Sequence, residues 1–231
     1  MIASPTQPSF LLDSGKGTGS GNNYSFLGSS PYSVLTGRQG QTSLRTSEEN
    51  EYPSNDPFES LCRLFANSQI KPPPGLPPFF GGAVGYLSYD LVREFETLPS
   101  MAKDDLQLPY LQFGLYDIVT AVDHRTDRLQ IIFCPPMERF LGEPREKLYR
   151  EGATRLAEWE ARLNAPPAPL IDIPSLDQMV FHPDQPRDTY LDRVRRCQEY
   201  ITAGDIYQAN LSHRFTLHPP NTYNDSTDRQ P

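Results

Sequence analysis

The chain has 231 residues and carries 29 acidic against 21 basic side chains, which gives a formal net charge of −8 and an isoelectric point near 5.0. An acidic chain without a block of Lys and Arg is not typical of a nucleic-acid-binding protein. No apolar run approaches the roughly 18 residues that span a bilayer, and the first residues lack the features of a secretory signal. Because its three cysteines form no CxxC pair, which is typical of a reducing compartment, we predict a soluble cytoplasmic protein.

The first third of the chain predicts short strands followed by one helix. Residues 10–12 and 24–27 are predicted strands, and residues 33–36 and 41–44 flank a four-residue loop, which predicts a hairpin. Asp56 is a good capping residue for a helix that starts at Pro57. We expect the apolar face of this helix to pack in the core; its members follow at helical spacing and are Phe58, Leu61, Cys62 and Phe65.

The middle of the chain contains a glycine-rich strand, a hairpin and a long helix. Glycines interleave with aromatic and aliphatic residues at positions 81–87, which predicts a strand that another backbone approaches closely. A phosphate-binding interpretation of this GGxxG is weak, because the further glycines of a dinucleotide motif and a GK[ST] are missing. Residues 111–122 and 129–133 predict a β-hairpin, and residues 144–163 predict a helix with Leu148, Leu156 and Leu163 near one face.

A second helix–strand unit is predicted after a proline- and alanine-rich run. Asp188 can cap a helix that ends at Gly204. Residues 205–215 then alternate mostly apolar with polar side chains, which predicts a strand. Gln208 and Asn210 lie on its polar face, and this face either meets water or lines a polar cavity.

These features predict an α/β protein in four parts. They are an N-terminal domain at residues 9–163, a Pro-rich linker at 164–187, the start of a second domain at 188–215 and a disordered tail at 216–231. The predicted strand at 205–215 needs neighbours that the residues after it do not supply. We therefore expect the chain to be truncated at the start of its second domain.

No catalytic motif follows from the residues themselves. The sequence contains no HExxH, no GxSxG and no Cys/His cluster with zinc spacing. The four histidines are expected in surface or packing roles; they are His124, His182, His213 and His218.

Three segments resemble the anthranilate synthase component I family. They are residues 10–14 with 24–28, residues 81–90 continuing to 96–99, and residues 199–211. The form of residues 81–90, and Asn210 after Gln-Ala, favour the aminodeoxychorismate synthase component I branch. The three segments lie between residues 10 and 215 and are specific when taken together.

The resemblance implies an α+β fold in which antiparallel sheets pack face to face between helical layers, followed by the first helix and strand of a chorismate-binding domain. It also implies replacement of the chorismate 4-hydroxyl by an amino group, with ammonia supplied by a glutamine amidotransferase subunit. Magnesium holds the chorismate carboxylate, and in this branch a lysine can form a covalent adduct with the ring. The product feeds p-aminobenzoate and folate synthesis.

The family's catalytic lysine and magnesium-binding glutamates belong to segments that this sequence does not contain. No catalytic residue and no metal ligand is therefore carried over, and we expect the chain alone to be inactive. The resemblance does imply a tryptophan pocket at Leu12, Asp13 and Ser14, with Tyr24 nearby; Asp13 stands where anthranilate synthases have Glu. Gln208 and Asn210 are candidates for the substrate cavity.

Two other hypotheses remain. The chain could be a non-enzymatic module that binds tryptophan or a partner subunit, because the strand at Leu12–Ser14 is intact on a chain that otherwise lacks chemistry. It could also be a fragment of an anthranilate synthase component I, which Asn210 disfavours.

Overall fold

The computed structural model describes residues 8–14, 23–46, 50–51, 55–66, 70–100, 103–167 and 179–218. The chain divides into two compact units, residues 1–168 and residues 169–231. The described strands of the first unit are β1 (Ser9–Leu12), β2 (Tyr24–Ser29), β3 (Ser33–Arg38), β4 (Gln41–Thr46), β5 (Asn50–Glu51), β6 (Gly82–Leu87), β7 (Leu111–Tyr116), β8 (Ile118–Asp123) and β9 (Arg128–Phe133). Its helices are α1 (Pro57–Ala66), α2 (Met137–Gly142) and α3 (Arg145–Leu163), with a 3-10 helix at Tyr89–Glu94.

The strands of the first unit form two antiparallel sheets. One has the order β5-β4-β3-β7-β6 and the other the order β1-β2-β8-β9. Aromatic rings connect the two sheets, because Phe10 of β1 meets Tyr116 of β7 edge-on with ring centroids 4.7 Å apart. Antiparallel sheets with flanking helices confirm the predicted fold class.

The single strand predicted at residues 111–122 is wrong. The chain leaves the five-stranded sheet after β7 and enters the four-stranded sheet as β8, and the break falls at Asp117. The Asp117 side chain is 4% exposed and forms an ion pair with Arg155 of α3, in which Arg155 Nη2 donates to Asp117 Oδ1 at 2.9 Å. The apolar residues on both sides of Asp117 are equally suited to a strand, so no local pattern indicated the change of sheet.

Helix α1 begins where it was predicted. Asp56 Oδ1 accepts hydrogen bonds from the backbone N–H groups of Phe58 at 2.8 Å and Glu59 at 3.1 Å. These bonds satisfy two donors that a helix start leaves free.

The buried face of α1 differs from the predicted one. Leu61 is buried, but Phe58, Cys62 and Phe65 are exposed, so the core prediction is wrong for these three residues. Ser60 takes part in the buried face instead, and its hydroxyl bonds the Asp56 carbonyl at 3.0 Å. A satisfied hydroxyl can be buried at little cost, and apolar periodicity alone does not identify it.

The turn between β3 and β4 is shorter than predicted. It contains two residues, Gln39 and Gly40, whose φ angles are 48° and 68°, rather than four. Two positive φ values in a two-residue loop are typical of a type I′ turn, whose twist matches that of the strands.

The glycine-rich strand β6 is approached closely by a neighbouring backbone, as predicted. Gly85 lies opposite Phe113 of β7. A Cβ added at Gly85 would lie 2.6 Å from the Phe113 Cα atom and nearer still to the Gln112 carbonyl oxygen. Any side chain at this position would therefore push the two strands apart.

Helix α3 packs against the four-stranded sheet. Trp159 is 4% exposed, and its Nε1–H donates a 2.7 Å hydrogen bond to Oγ1 of Thr120 in β8. The start of the helix is tied to α2, because Arg139 bonds Glu143 at 2.7 Å and Glu151 at 2.9 Å. The hydrogen bonds that Glu143 accepts from Arg139 and Lys147 lower its pKa to about 2.

The described part of the second unit contains strand β10 (Val180–Pro183), helix α4 (Arg187–Ala203) and strand β11 (Phe215–His218). The helix ends at Gly204, whose φ is 81°, as predicted. Asp188 lies inside the first turn rather than at the cap, which is Pro186.

The strand predicted at residues 205–215 is wrong. Residues 208–214 have no regular structure, and β11 begins only at Phe215, where it pairs antiparallel with β10. A strand forms where a partner is available, and alternation alone does not provide one. Residues 180–183 and 216–218 are thus paired strand, whereas the sequence predicts a linker and a disordered tail at these positions. The four-part domain organisation stays a prediction.

No helix within the described residues is long and apolar enough to span a membrane.

Candidate functional site

The strongest cluster of polar contacts among the predicted site residues lies at the end of β1. Strand β1 pairs antiparallel with β2, with Leu12 opposite Phe26, so that Asp13 arrives beside Ser25. The Ser25 hydroxyl donates a 2.7 Å hydrogen bond to Asp13 Oδ1. The backbone N–H of Ser14 donates to the same hydroxyl oxygen at 3.2 Å. Ser25 is 7% exposed, whereas Asp13 is exposed, so a buried hydroxyl supports a carboxylate at the surface.

A histidine that follows β8, the strand on the other side of β2, completes the cluster. Strand β2 also pairs with β8, with Ser25 opposite Val122, and His124 follows in the turn that leads to β9. Its Nε2 atom lies 2.7 Å from Ser25 Oγ. Its backbone N–H donates a 2.7 Å hydrogen bond to the carbonyl of Asn23, which fastens the turn to the start of β2.

The other predicted tryptophan-site residues lie on the opposite face of the sheet. Side chains alternate along a strand, so Leu12, Tyr24 and Phe26 share one face while Asp13 and Ser25 share the other. The Tyr24 ring stacks on Phe26 at 5.9 Å, and Leu12 is 48% exposed. The structure thus brings Asp13 and Ser14 together around Ser25, and places Leu12 and Tyr24 on an aromatic surface across the same strand end.

The two predicted substrate-cavity residues lie in the second unit. Gln208 and Asn210 are exposed, and Gln208 Nε2 lies 3.5 Å from Asn210 Oδ1. They stand on irregular chain rather than on a strand, so their predicted alignment along one polar face is wrong, and their place in a substrate cavity stays a prediction.

A cavity of about 470 Å³ lies elsewhere in the first unit. Leu35, Leu44 and Leu115 line it together with residues of α1 and α2, and none of the predicted site residues does. Burial, aided by the carboxylates of Glu138 and Asp117, raises the pKa of the lining residue Tyr32 to about 12.

The described residues do not fit a magnesium site. They contain no group of three or more His, Cys, Asp or Glu side chains that could hold a metal ion. We therefore derive no step through magnesium from this chain.

Sequence reasoning missed Ser25 and His124 as members of the cluster. Ser25 belonged to a predicted strand, and His124 was expected at the surface of a turn. They are 99 positions apart in the chain, and only the pairing of β2 with β8 makes them neighbours. No local pattern carries that information.

Comparison with known proteins identifies the family to which this chain belongs. The profile of the family described as "chorismate binding enzyme" matches residues 7–231. The chain therefore belongs to the chorismate-binding enzyme family.

Its relatives carry two different names. Anthranilate synthase component 1 of Thermus thermophilus is 35% identical over 223 residues, which cover 94% of this chain and 45% of the relative. Aminodeoxychorismate synthase component 1 of Klebsiella aerogenes is 32% identical over 214 residues, covering 91% and 43%. This chain thus spans under half the length of these relatives.

A solved structure has a similar fold. The crystal structure of anthranilate synthase component I from Streptococcus pneumoniae TIGR4 superposes with a TM-score of 0.67 at 20% identity, and the match covers 86% of this chain and 42% of that one.

Proposed function

We propose that this chain forms the N-terminal part of an aminodeoxychorismate synthase component 1, which replaces the 4-hydroxyl of chorismate by an amino group for p-aminobenzoate and folate synthesis. The match of the chorismate-binding family over residues 7–231 carries the proposal. Two features support this branch: the form of residues 81–90, and Asn210 after Gln-Ala. The relative from Klebsiella aerogenes bears this name.

Anthranilate synthase component 1 is the second candidate. The Thermus thermophilus relative of that name is 35% identical, against 32% for the Klebsiella aerogenes protein. A difference of three percentage points does not separate two branches of one family, so the reaction product has to decide.

The proposed reaction needs groups that we place outside these 231 residues. We propose that magnesium is held there, that the catalytic residues also lie there, and that a glutamine amidotransferase subunit supplies the ammonia. The contribution that we assign to this chain is the N-terminal fold and its polar strand end.

At that strand end we propose a binding site for an amino acid, with tryptophan as the first candidate. The exposed Asp13 carboxylate provides a counter-ion for an α-amino group. Leu12 and the stacked ring of Tyr24 lie on the other face of the sheet, and because β1 is an edge strand we propose that a ligand side chain reaches them around the end of this strand. A site of this kind gives the chain a binding role with or without catalysis.

Replacing Asp13 by asparagine is expected to weaken the binding of L-tryptophan about 10- to 100-fold, because a charge-assisted hydrogen bond to the amino group is lost. Titration calorimetry of the wild-type chain and the variant measures this effect. Asp127→Asn is the matched control, since it makes the same change in charge in the exposed turn after β8 and should leave the affinity unchanged. Absence of binding heat when L-tryptophan is added to the wild-type chain would contradict the proposed amino-acid site.

Product analysis separates the two enzyme candidates. The polypeptide purified from its source cells, at its native length, is incubated with chorismate, an ammonium salt and magnesium. We expect 4-amino-4-deoxychorismate; anthranilate as the product would overturn the assignment to this branch. The recombinant 231-residue chain is the matched sample, and conversion of chorismate by it would contradict our placing the catalytic residues elsewhere.

A further inference from the structure

One buried hydroxyl has three hydrogen-bond contacts at the proposed amino-acid site. Ser25 Oγ lies 2.7 Å from Asp13 Oδ1, 2.7 Å from His124 Nε2 and 3.2 Å from the Ser14 nitrogen. A hydroxyl has one proton to donate and two lone pairs that accept. Three contacts therefore use its full capacity, and each bond constrains the other two.

The direction of each bond follows from the chemistry of the partners. The backbone N–H of Ser14 can only donate, and an ionised carboxylate can only accept. Ser25 must therefore give its single proton to Asp13. The remaining lone pair of Ser25 then faces His124, so the Nε2 atom of His124 carries a proton and donates it.

In this arrangement the Ser25 hydroxyl proton can point only toward Asp13. With donors from Ser14 and His124 on both lone pairs, the O–H bond is aimed at Asp13 Oδ1. The imidazole itself is well placed to enforce this, because the His124 backbone is bonded to Asn23 at the start of β2.

The other carboxylate near the imidazole is occupied elsewhere. Asp123, which precedes His124, accepts hydrogen bonds from the backbone N–H groups of Arg125 at 2.9 Å and Thr126 at 3.3 Å. A hydrogen bond from the Thr126 side chain is the main cause that lowers the pKa of Asp123. Asp123 thus organises the turn, and the Nε2 atom is directed to Ser25.

We propose that His124 is a positioning residue for the Asp13 carboxylate and acts through the Ser25 hydroxyl. An exposed aspartate ordinarily samples several rotamers. Here a buried hydroxyl and an imidazole hold one oxygen, so that the carboxylate faces an incoming amino group in one orientation. The functional meaning of this inference rests on the proposed amino-acid site, whereas the positioning itself can be measured without ligand.

The first test is the side-chain rotamer of Asp13 in the ligand-free chain, from three-bond couplings between its Hα and Hβ protons. We expect one rotamer in the wild-type chain and averaged couplings in Ser25→Ala and His124→Leu. His124→Gln retains an N–H donor and is expected to restore the single rotamer. Arg125→Gln is the control in the same turn. Unchanged couplings in His124→Leu would overturn the proposal, as would a nitrogen spectrum showing neutral His124 with an unprotonated Nε2.

The second test adds L-tryptophan to the same variants. We expect His124→Leu to weaken binding about tenfold and His124→Gln to stay within about twofold of the wild-type chain, since one hydrogen bond to a charged group is lost and then replaced. A wild-type chain that binds no tryptophan overturns the proposed site, while the couplings still decide the positioning. Tight binding combined with unchanged couplings overturns the positioning alone.

Discussion

Replacing Arg155 by methionine is expected to destabilise the protein by about 3 kcal/mol, because the change leaves the Asp117 carboxylate buried without a cation. The Asp117 side chain is 4% exposed and that of Arg155 is 31% exposed, so the pair is screened on one side only. The expected loss therefore lies at the lower end of the range of about 3–5 kcal/mol for breaking a buried ion pair. Guanidinium unfolding, followed by the fluorescence of Trp159, measures the loss.

Two further variants isolate the cause of this loss. Arg150→Met makes the same substitution in the same helix, where Arg150 is 81% exposed and lies 3.6 Å from Glu146, and it should change stability by less than about 0.5 kcal/mol. The double variant Arg155→Met, Asp117→Asn removes the unpaired charge and should recover part of the stability that Arg155→Met loses. Equal losses of stability in Arg155→Met and Arg150→Met would show that the ion pair at Asp117 contributes no more than an exposed one.

The ion pair also bears on the candidate site. Asp117 stands where the chain passes from β7 to β8, and β8 leads directly into the turn that carries His124. Strand β8 pairs with β2, which carries Ser25. Loss of the ion pair at Asp117 is therefore expected to disturb the position of β8, and through β8 and β2 the positions of His124 and Ser25.

Local chemistry made much of the first unit predictable. The capping role of Asp56 depends on the residues that follow it directly, and the glycines of β6 indicate a close backbone approach whichever strand makes it; both predictions are confirmed. The break at Asp117 was missed because it depends on Arg155, 38 positions away. A buried charge with a distant partner leaves no periodic pattern.

The residues of the candidate site were likewise predictable only in part. Asp13 and Ser14 could be proposed from the resemblance of a short segment to a known family. Ser25 and His124 could not, since their roles arise from the order β1-β2-β8 in the sheet. Residues 208–214 illustrate the converse case, because their alternating pattern is clear but no strand among the described residues pairs with them.

Replacing Trp159 by alanine is expected to lower the free energy of unfolding by about 4 kcal/mol, more than the loss expected from Arg155→Met. The indole is 4% exposed, and its removal opens a cavity between α3 and the four-stranded sheet. It also deprives the buried Thr120 hydroxyl of the donor that now lies 2.7 Å away. Because Trp159 is the sole tryptophan, circular dichroism rather than fluorescence follows the unfolding of this variant.

Two aromatic substitutions separate the causes of that loss. Trp159→Phe keeps most of the volume and removes the N–H donor, so it should cost about 1–2 kcal/mol through the hydrogen bond and the smaller ring. Tyr149→Ala removes an aromatic ring that is 79% exposed on the same helix and should cost less than about 0.5 kcal/mol. If Trp159→Ala proved no more harmful than Tyr149→Ala, α3 would not be anchored by its indole, and the sheet that carries Ser25 and His124 would have to be stabilised without it.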